Sequence, residues 1–238
     1  MKKYSEICVD VYGDFATFTI PYFKVERDTY PFPTPSACRG VLNAIYCKPR
    51  EFYYEITKIE VMKPIKTIQM QKNELNLKAE PSGIFKEGYH INPREPGKRN
   101  NTQRITTYLV DVFYRIHANL VMQDNAPPRV SLQGITEQFN RRVADGKCFF
   151  QPYLGQNGCM CYFESPDANP NMKPIPVDDD YGLVLYDVFD ITKDNSEKTL
   201  DTRKKTRNDC TCVTMFHCNM VQGVINVPLW GSEGIIEV

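Results

Sequence analysis

Hydrophobic and polar positions along the chain alternate with two different periods. Ile7, Val9 and Val11 are apolar, with Cys8, Asp10 and Tyr12 between them, which predicts a half-buried strand over 7–12. After a proline-rich stretch, Thr34 and Pro35 read as helix cap and first helical position, and the helix runs to about Tyr46, before Lys48-Pro49. A second strand is expected over Ile56–Met62, ahead of Pro64. The most regular pattern covers Thr107–Val121. Its even positions, from Tyr108 to Leu120, are apolar, while the odd ones include Asp111, Phe113, Arg115, His117 and Asn119. That predicts one core face and one open face. Leu132, Ile135, Phe139 and Val143 then mark a second helix from about Val130, closed by Asp145-Gly146, and a further strand is expected near Cys159–Glu164.

The order strand, helix, strand, strand, helix, strand is that of a ferredoxin-like α+β domain, with helices on one sheet face and the other face free. The polar segment from Gln69 to Asn101, with Lys72, Lys78, Lys86, Arg94, Lys98 and Arg99, reads as a functional loop or hairpin insertion, spanning about 66–104. Residues 166–180, rich in Pro, Asn and Asp, read as a linker. Two β signals follow, Leu183–Ile191 and Cys212–Val227 with a turn at Gln222-Gly223. Between them lies a polar stretch that includes Arg203-Lys204-Lys205. The expected organisation is a ferredoxin-like domain over 1–165 and a small antiparallel β domain over 166–238.

Composition narrows the function classes. With 238 residues, 42% of them apolar, the chain can build a sizeable core. No run approaches the roughly 18 apolar residues of a membrane span, and the start lacks the apolar stretch of a signal peptide, so a cytoplasmic protein is expected. The 29 basic and 29 acidic residues balance, yet residues 1–165 carry 22 basic and 17 acidic, and residues 166–238 carry 7 and 12. A polyanion is expected on the first part, although solvated surface charge gives the same asymmetry. The nine cysteines are expected to be reduced thiols. Cys159-x-Cys161 and Cys210-x-Cys212 are spaced more tightly than most structural zinc pairs, and alternate strand positions explain them equally well.

Candidate chemistry gathers on two surfaces. On the first helix, Arg39, Asn43 and Tyr46 are spaced i, i+4, i+7 opposite Ala37, Val41, Ala44 and Ile45, and Lys48 and Arg50 follow in the loop. An ordinary solvated helix face reads the same way. On the 107–121 strand, Phe113 flanked by Arg115 and His117 suits nucleic-acid contact, because bases stack on rings and phosphates take cations. His217 falls in register with Val213 and Met215 and reads as packed, and His90 lies in the polar insertion. The chain has no phosphate-binding glycine loop, dinucleotide fingerprint, nucleophile elbow or zinc-protease helix, and its best surfaces hold few clustered carboxylates. Metal-free, cofactor-free chemistry is the simpler expectation. For RNA one such route is attack by a ribose 2′-OH on the adjacent phosphate. His117 is then the candidate base, Tyr46 the orienting or protonating group, and Lys48, Arg39 or Arg115 the phosphate holders.

Several stretches together resemble one family: Phe23–Arg27, Pro33–Gly40 through Ile45-Tyr46-Cys47-Lys48-Pro49, Val61–Ile65, Thr102-Gln103-Arg104, Asp111–Ile116, Gln151–Gly155, Leu185-Tyr186-Asp187 and Gly223–Pro228. In this order they are similar to the CRISPR-associated Cas-five family of subtype I-C, the Dvulg type. The resemblance implies a RAMP-superfamily, RRM-like fold. It also implies a metal-independent endoribonuclease that cuts precursor CRISPR RNA at its repeat hairpin and stays on the 5′ handle as a Cascade subunit. Its implied partners are that RNA and the backbone and large subunits of Cascade, with no membrane.

The family's catalytic tyrosine matches Tyr46. Where an active relative shows Tyr-x-x-Lys-Ala-His, this chain reads Tyr114-Arg115-Ile116-His117-Ala118-Asn119. The imidazole therefore moves two residues, about 7 Å, along the same strand face. The expected site is Tyr46 and His117 for catalysis, with Arg39, Lys48, Arg50, Arg104, Phe113, Arg115 and Asn119 on the RNA. The His117 and Asn119 departure keeps open a non-catalytic subunit that only binds the guide.

Overall fold

The computed structural model describes residues 3–23, 26–75, 101–124, 126–192 and 211–238. Strand β1 (Tyr4–Ala16) is followed by a short pair, β2 (Phe18–Thr19) and β3 (Thr29–Tyr30), that stands apart from the main sheet. Helix α1 (Pro35–Ile45) starts where the Thr34 hydroxyl accepts the Ala37 N–H at 3.2 Å, with Pro35 in the first turn. Next come β4 (Phe52–Val61), β5 (Thr67–Leu75), β6 (Asn101–Met122) and α2 (Leu132–Ala144), whose cap is Ser131. Strands β7 (Tyr162–Glu164), β8 (Asp179–Phe189), β9 (Thr211–Val221), β10 (Val224–Asn226) and β11 (Ile235–Glu237) complete the order.

The result is an α+β protein built on one antiparallel sheet. Strands β4, β6, β1 and β7 lie side by side in that order, each pair antiparallel. The later strands extend the same sheet, because β10 pairs with β4 on one side and with β9 on the other, and β9 also pairs with β8 and β11. The sheet thus continues without a break past the expected 165/166 boundary. The described ends of the insertion pair with each other: β5 lies antiparallel to the first part of β6 from Thr67↔Leu109 to Leu75↔Asn101. Residues 76–100, with His90, Lys78, Lys86, Arg94, Lys98 and Arg99, lie outside the described residues, as does Arg203-Lys204-Lys205.

Alternation along β6 sets the two faces. Val112, Tyr114, Ile116, Ala118 and Leu120 are buried toward the helices, where Tyr54 of β4 packs on Phe139 of α2 with ring centres 5.9 Å apart. Phe113, Arg115, His117, Asn119 and Val121 point the other way. The sequence reading expected this second face to be open, and much of it is covered. Residues 166–177 do not form a free linker. They cross the face as a strap: the Arg115 guanidinium donates to the Asn169 carbonyl at 3.1 Å, and the Ile175 N–H donates to Val61 O at 2.9 Å. At the far end, Tyr53, Val121 and Ile191 form a small apolar cluster with Trp230 packed against it.

Candidate nucleic-acid interface

Helix α1 ends at Ile45 because the next residue leaves helical backbone, and this decides where Tyr46 goes. Its N–H still donates to Leu42 O at 2.9 Å, but its φ of −151° and ψ of 118° are extended. The ring therefore leaves the Arg39–Asn43 stripe on which the helical wheel placed it. It packs on the helix side of the sheet, 5.3 Å from the Phe52 ring, and is 8% exposed. The Arg142 guanidinium of α2 lies over it, 5.3 Å from the ring centre, and donates to the Ile45 carbonyl at 3.0 Å. On the exposed side, Lys48 hydrogen-bonds the Tyr46 side chain and reaches both Glu51 carboxylate oxygens at 3.1 Å. The Glu51 hydrogen bond, more than Tyr46, raises the Lys48 pKa above its ordinary value.

The last turn of α2 adds cations that the sequence reading did not place here. Arg141 and Arg142 occupy that turn, and Lys147 follows Gly146, whose φ of 63° turns the chain. Gln138, Arg141, Arg142, Asp145, Lys147 and Cys148 line a hollow of about 430 Å³ beside Tyr46. The Arg142 Nε is buried with no hydrogen-bond partner. In sequence, basic residues at a helix end read as dipole partners, so nothing there tied them to Tyr46.

His117 is not at this corner. It lies on the opposite sheet face, five residues along β6 from Met122, the cross-strand partner of Phe52, or about 17 Å at the usual strand rise. The expected Tyr46–His117 pair therefore does not share a site. His117 Nε2 sits 3.1 Å from Glu60 Oε1, Lys58 Nζ is 2.7 Å from the same oxygen, and Cys8 Sγ is 3.7 Å from the imidazole. Burial, and then the Lys58 charge, lower the His117 pKa against the opposing pull of Glu60. Burial pushes the Cys8 thiol up to about 12, which leaves it a poor nucleophile.

Other expected RNA contacts are engaged within the protein. Phe113 is 7% exposed and stacks on Tyr12 at 5.5 Å, nearly parallel, so it presents no free ring. Arg115 makes two hydrogen bonds, 2.6 and 2.9 Å, to the carboxylate of Asp10, which is fully buried. Arg39 reaches one Asp187 oxygen, Oδ2, with Nε at 2.9 Å and a terminal nitrogen at 2.6 Å, and the other Asp187 oxygen accepts the Val188 and Phe189 N–H groups. A charge removed from water needs such a partner, and the two arginines meet that need. Asn119 is buried between Glu6 and Glu55 in the register. Arg104 sits on β6, 3.3 Å from Glu74, which also holds Arg27. Arg50 is exposed in the loop after α1, near Lys48 in sequence. Among the described residues, no group of three or more His, Cys, Asp or Glu is gathered as metal ligands, and no helix is long and apolar enough to cross a membrane.

Comparison with known proteins fits this architecture. Residues 6–228 match the family model described as CRISPR-associated protein (Cas_Cas5), in its Cas5d form. A Thermus thermophilus protein named CRISPR pre-crRNA endoribonuclease Cas5d is 32% identical over 223 residues, covering 92% of this chain and 90% of that one. A protein of the same name from Mannheimia succiniciproducens is 32% identical over 242 positions, covering 97% and 98%. Among solved structures, one titled as a CRISPR-associated protein superposes with a TM-score of 0.66 at 19% identity, over 99% of each chain. A Streptococcus mutans protein of uncharacterised function superposes with a TM-score of 0.63 at 18% identity, over 98% of this chain and 97% of its own. With the family matched over nearly its whole length, the chain belongs to the CRISPR-associated Cas5 family, in its Cas5d branch.

Proposed function

We propose that this protein is a pre-crRNA endoribonuclease of subtype I-C that cuts precursor CRISPR RNA at the repeat hairpin. On this reading it stays on the 5′ handle as a Cascade subunit and works in the cytoplasm. The observation that carries the proposal is the 32% identity, over nearly the whole chain, to two proteins named for that activity. The order of β7, β1, β6 and β4, with α1 and α2 on one face, supports reading the first part as ferredoxin-like and the protein as a RAMP member.

The chemistry belongs at the Tyr46 corner rather than at His117. In metal-free cleavage the 2′-oxygen bonds to phosphorus while the bond to the 5′-oxygen breaks. Water takes the proton from the 2′-hydroxyl, a second water gives one to the departing 5′-oxygen, and a 2′,3′-cyclic phosphate remains. Such a step needs cations where phosphate charge develops and a group to orient the nucleophile. Lys48, Arg142, Arg141 and Lys147 are the cations, and the Tyr46 hydroxyl is the orienting group. Lys58 and Arg115, beside His117, are already matched by Glu60 and Asp10.

The distance between Tyr46 and His117 favours a second reading, a subunit that binds the handle without cutting. Incubation of the purified protein with its repeat RNA in EDTA separates the two. A shortened RNA with a 2′,3′-cyclic phosphate end is the expected result; tight binding with the RNA left intact selects the second reading.

A further inference from the structure

A groove of about 500 Å³ opens between the outer side of α1 and the segment after α2. Ser36, Gly40 and Asn43 line it from α1, and Thr19, Phe150 and Tyr153 line it from the other side. Phe150 is 47% exposed, Tyr153 42%, and the neighbouring Phe149 77%. Three large rings within five residues make an apolar patch that water solvates poorly, and such patches mark contact sites. The rings are held from behind, because the Phe149 and Phe150 N–H groups donate to Ala44 O at 2.7 and 3.3 Å. Phe149 meets Phe150 edge-on at 6.0 Å.

Gly40 is informative for what it lacks. Glycine inside a helix weakens it relative to alanine, and here a Cβ would meet nothing within 4 Å, so internal packing does not require the residue. Its missing side chain keeps the groove clear. The groove also has charge near it: the Phe149 and Phe150 N–H groups bond Ala44 O, and Arg142, which lines the hollow beside Tyr46, donates to the next carbonyl, Ile45 O. Lys147 and Cys148 line the cationic hollow beside Tyr46, and Phe149 and Phe150 are the next two residues. Flat rings next to ammonium and guanidinium groups match a nucleotide, with its base on a ring and its phosphate on a cation.

We propose that this groove holds unpaired nucleotides of the RNA, with a base stacked on Phe150 or Tyr153 and the backbone running on toward Lys147 and Arg141. The proposal rests on the RNA-binding part of the function above and adds where the single-stranded flank lies.

The probe is the repeat RNA carrying 2-aminopurine at each unpaired flanking position in turn, mixed with the full-length protein. At least one position is expected to be quenched on binding. In Phe150→Ala/Tyr153→Ala that quench disappears and affinity falls about 5- to 150-fold, the range for losing one stacked base. Gly40→Leu, which fills the groove and favours the helix, gives the same loss with no drop in melting temperature. Unchanged affinity and quenching in both folded variants overturn the proposal, as does a wild-type protein that does not bind the RNA. If RNA binding is unchanged but the variants no longer co-purify with other subunits, the groove is a protein contact and the proposal fails. Binding and quenching without cleavage refute the nuclease reading alone and leave the groove standing.

Discussion

The two faces of the central sheet carry similar residues and treat them differently. On the His117 side the cations around the imidazole have fixed opposites: Arg115 with Asp10, and Lys58 and His117 with Glu60. At the Tyr46 corner, Arg141, Arg142, Lys147 and Lys48 exceed Asp145 and Glu51, and the Arg142 Nε is without an acceptor. Paired charges on the first side specify the sheet, whereas the surplus on the second is available to a polyanion. Residue type alone does not separate a structural arginine from a binding one; the location of its carboxylate does.

The sharpest way to break this contrast is to remove a carboxylate from the matched side. Asp10→Ala leaves Arg115 partly buried without its partner and is expected to cost about 3–5 kcal/mol in chemical denaturation. A change under about 1 kcal/mol means that the pair is not structural. Phe113→Ala is expected to cost about 3 kcal/mol of stability through lost packing on Tyr12, while RNA affinity in the folded fraction stays within twofold. A selective loss of affinity with full stability returns that ring to the RNA.

Cleavage rates test the contrast directly. Tyr46→Phe is expected to slow single-turnover cleavage about 100-fold with binding kept, and His117→Ala to slow it less than threefold. The reverse ranking places the reaction on the other face. The smallest effect concerns pH. Burial lowers the folded-state pKa of His117, so the unfolded chain takes up the proton more readily. The imidazole's contribution to stability is complete above its ordinary pKa of about 6.5 and is lost as pH falls below that value toward the folded pKa. His117→Gln should flatten that part of the stability curve. Identical wild-type and variant curves between pH 7 and 5 remove His117 as a source of the dependence.

Local patterns were legible in the sequence where one residue's neighbours decide the outcome. Thr34-Pro35 starts α1, Asp145-Gly146 closes α2, and the even positions from Val112 to Leu120 face the core, as their periods predict. The site was less legible. The wheel extended α1 by one residue, and that residue was Tyr46, whose extended backbone sends the ring to another surface. Arg39 and Arg115 read as phosphate holders because Asp187 lies 148 residues from one and Asp10 lies 105 residues from the other. Beyond Lys48, the cations beside Tyr46 come from the end of α2 and the turn after it, nearly a hundred residues away, and the gap of 97 between Arg142 and Ile45 is invisible to any local pattern.

The strap over the His117 face bears on how the chain comes together and apart. Its anchors, Arg115, Val61 and Gly223, come from β6, β4 and the turn before β10, so it has nothing to fasten to until those parts have assembled. A segment of this kind is added last and released first, and Pro166, Pro170, Pro174 and Pro176 leave it few amide hydrogens to hold it. In native-state hydrogen exchange, the Ile175 amide should open at a lower free energy than the β6 amides beneath it.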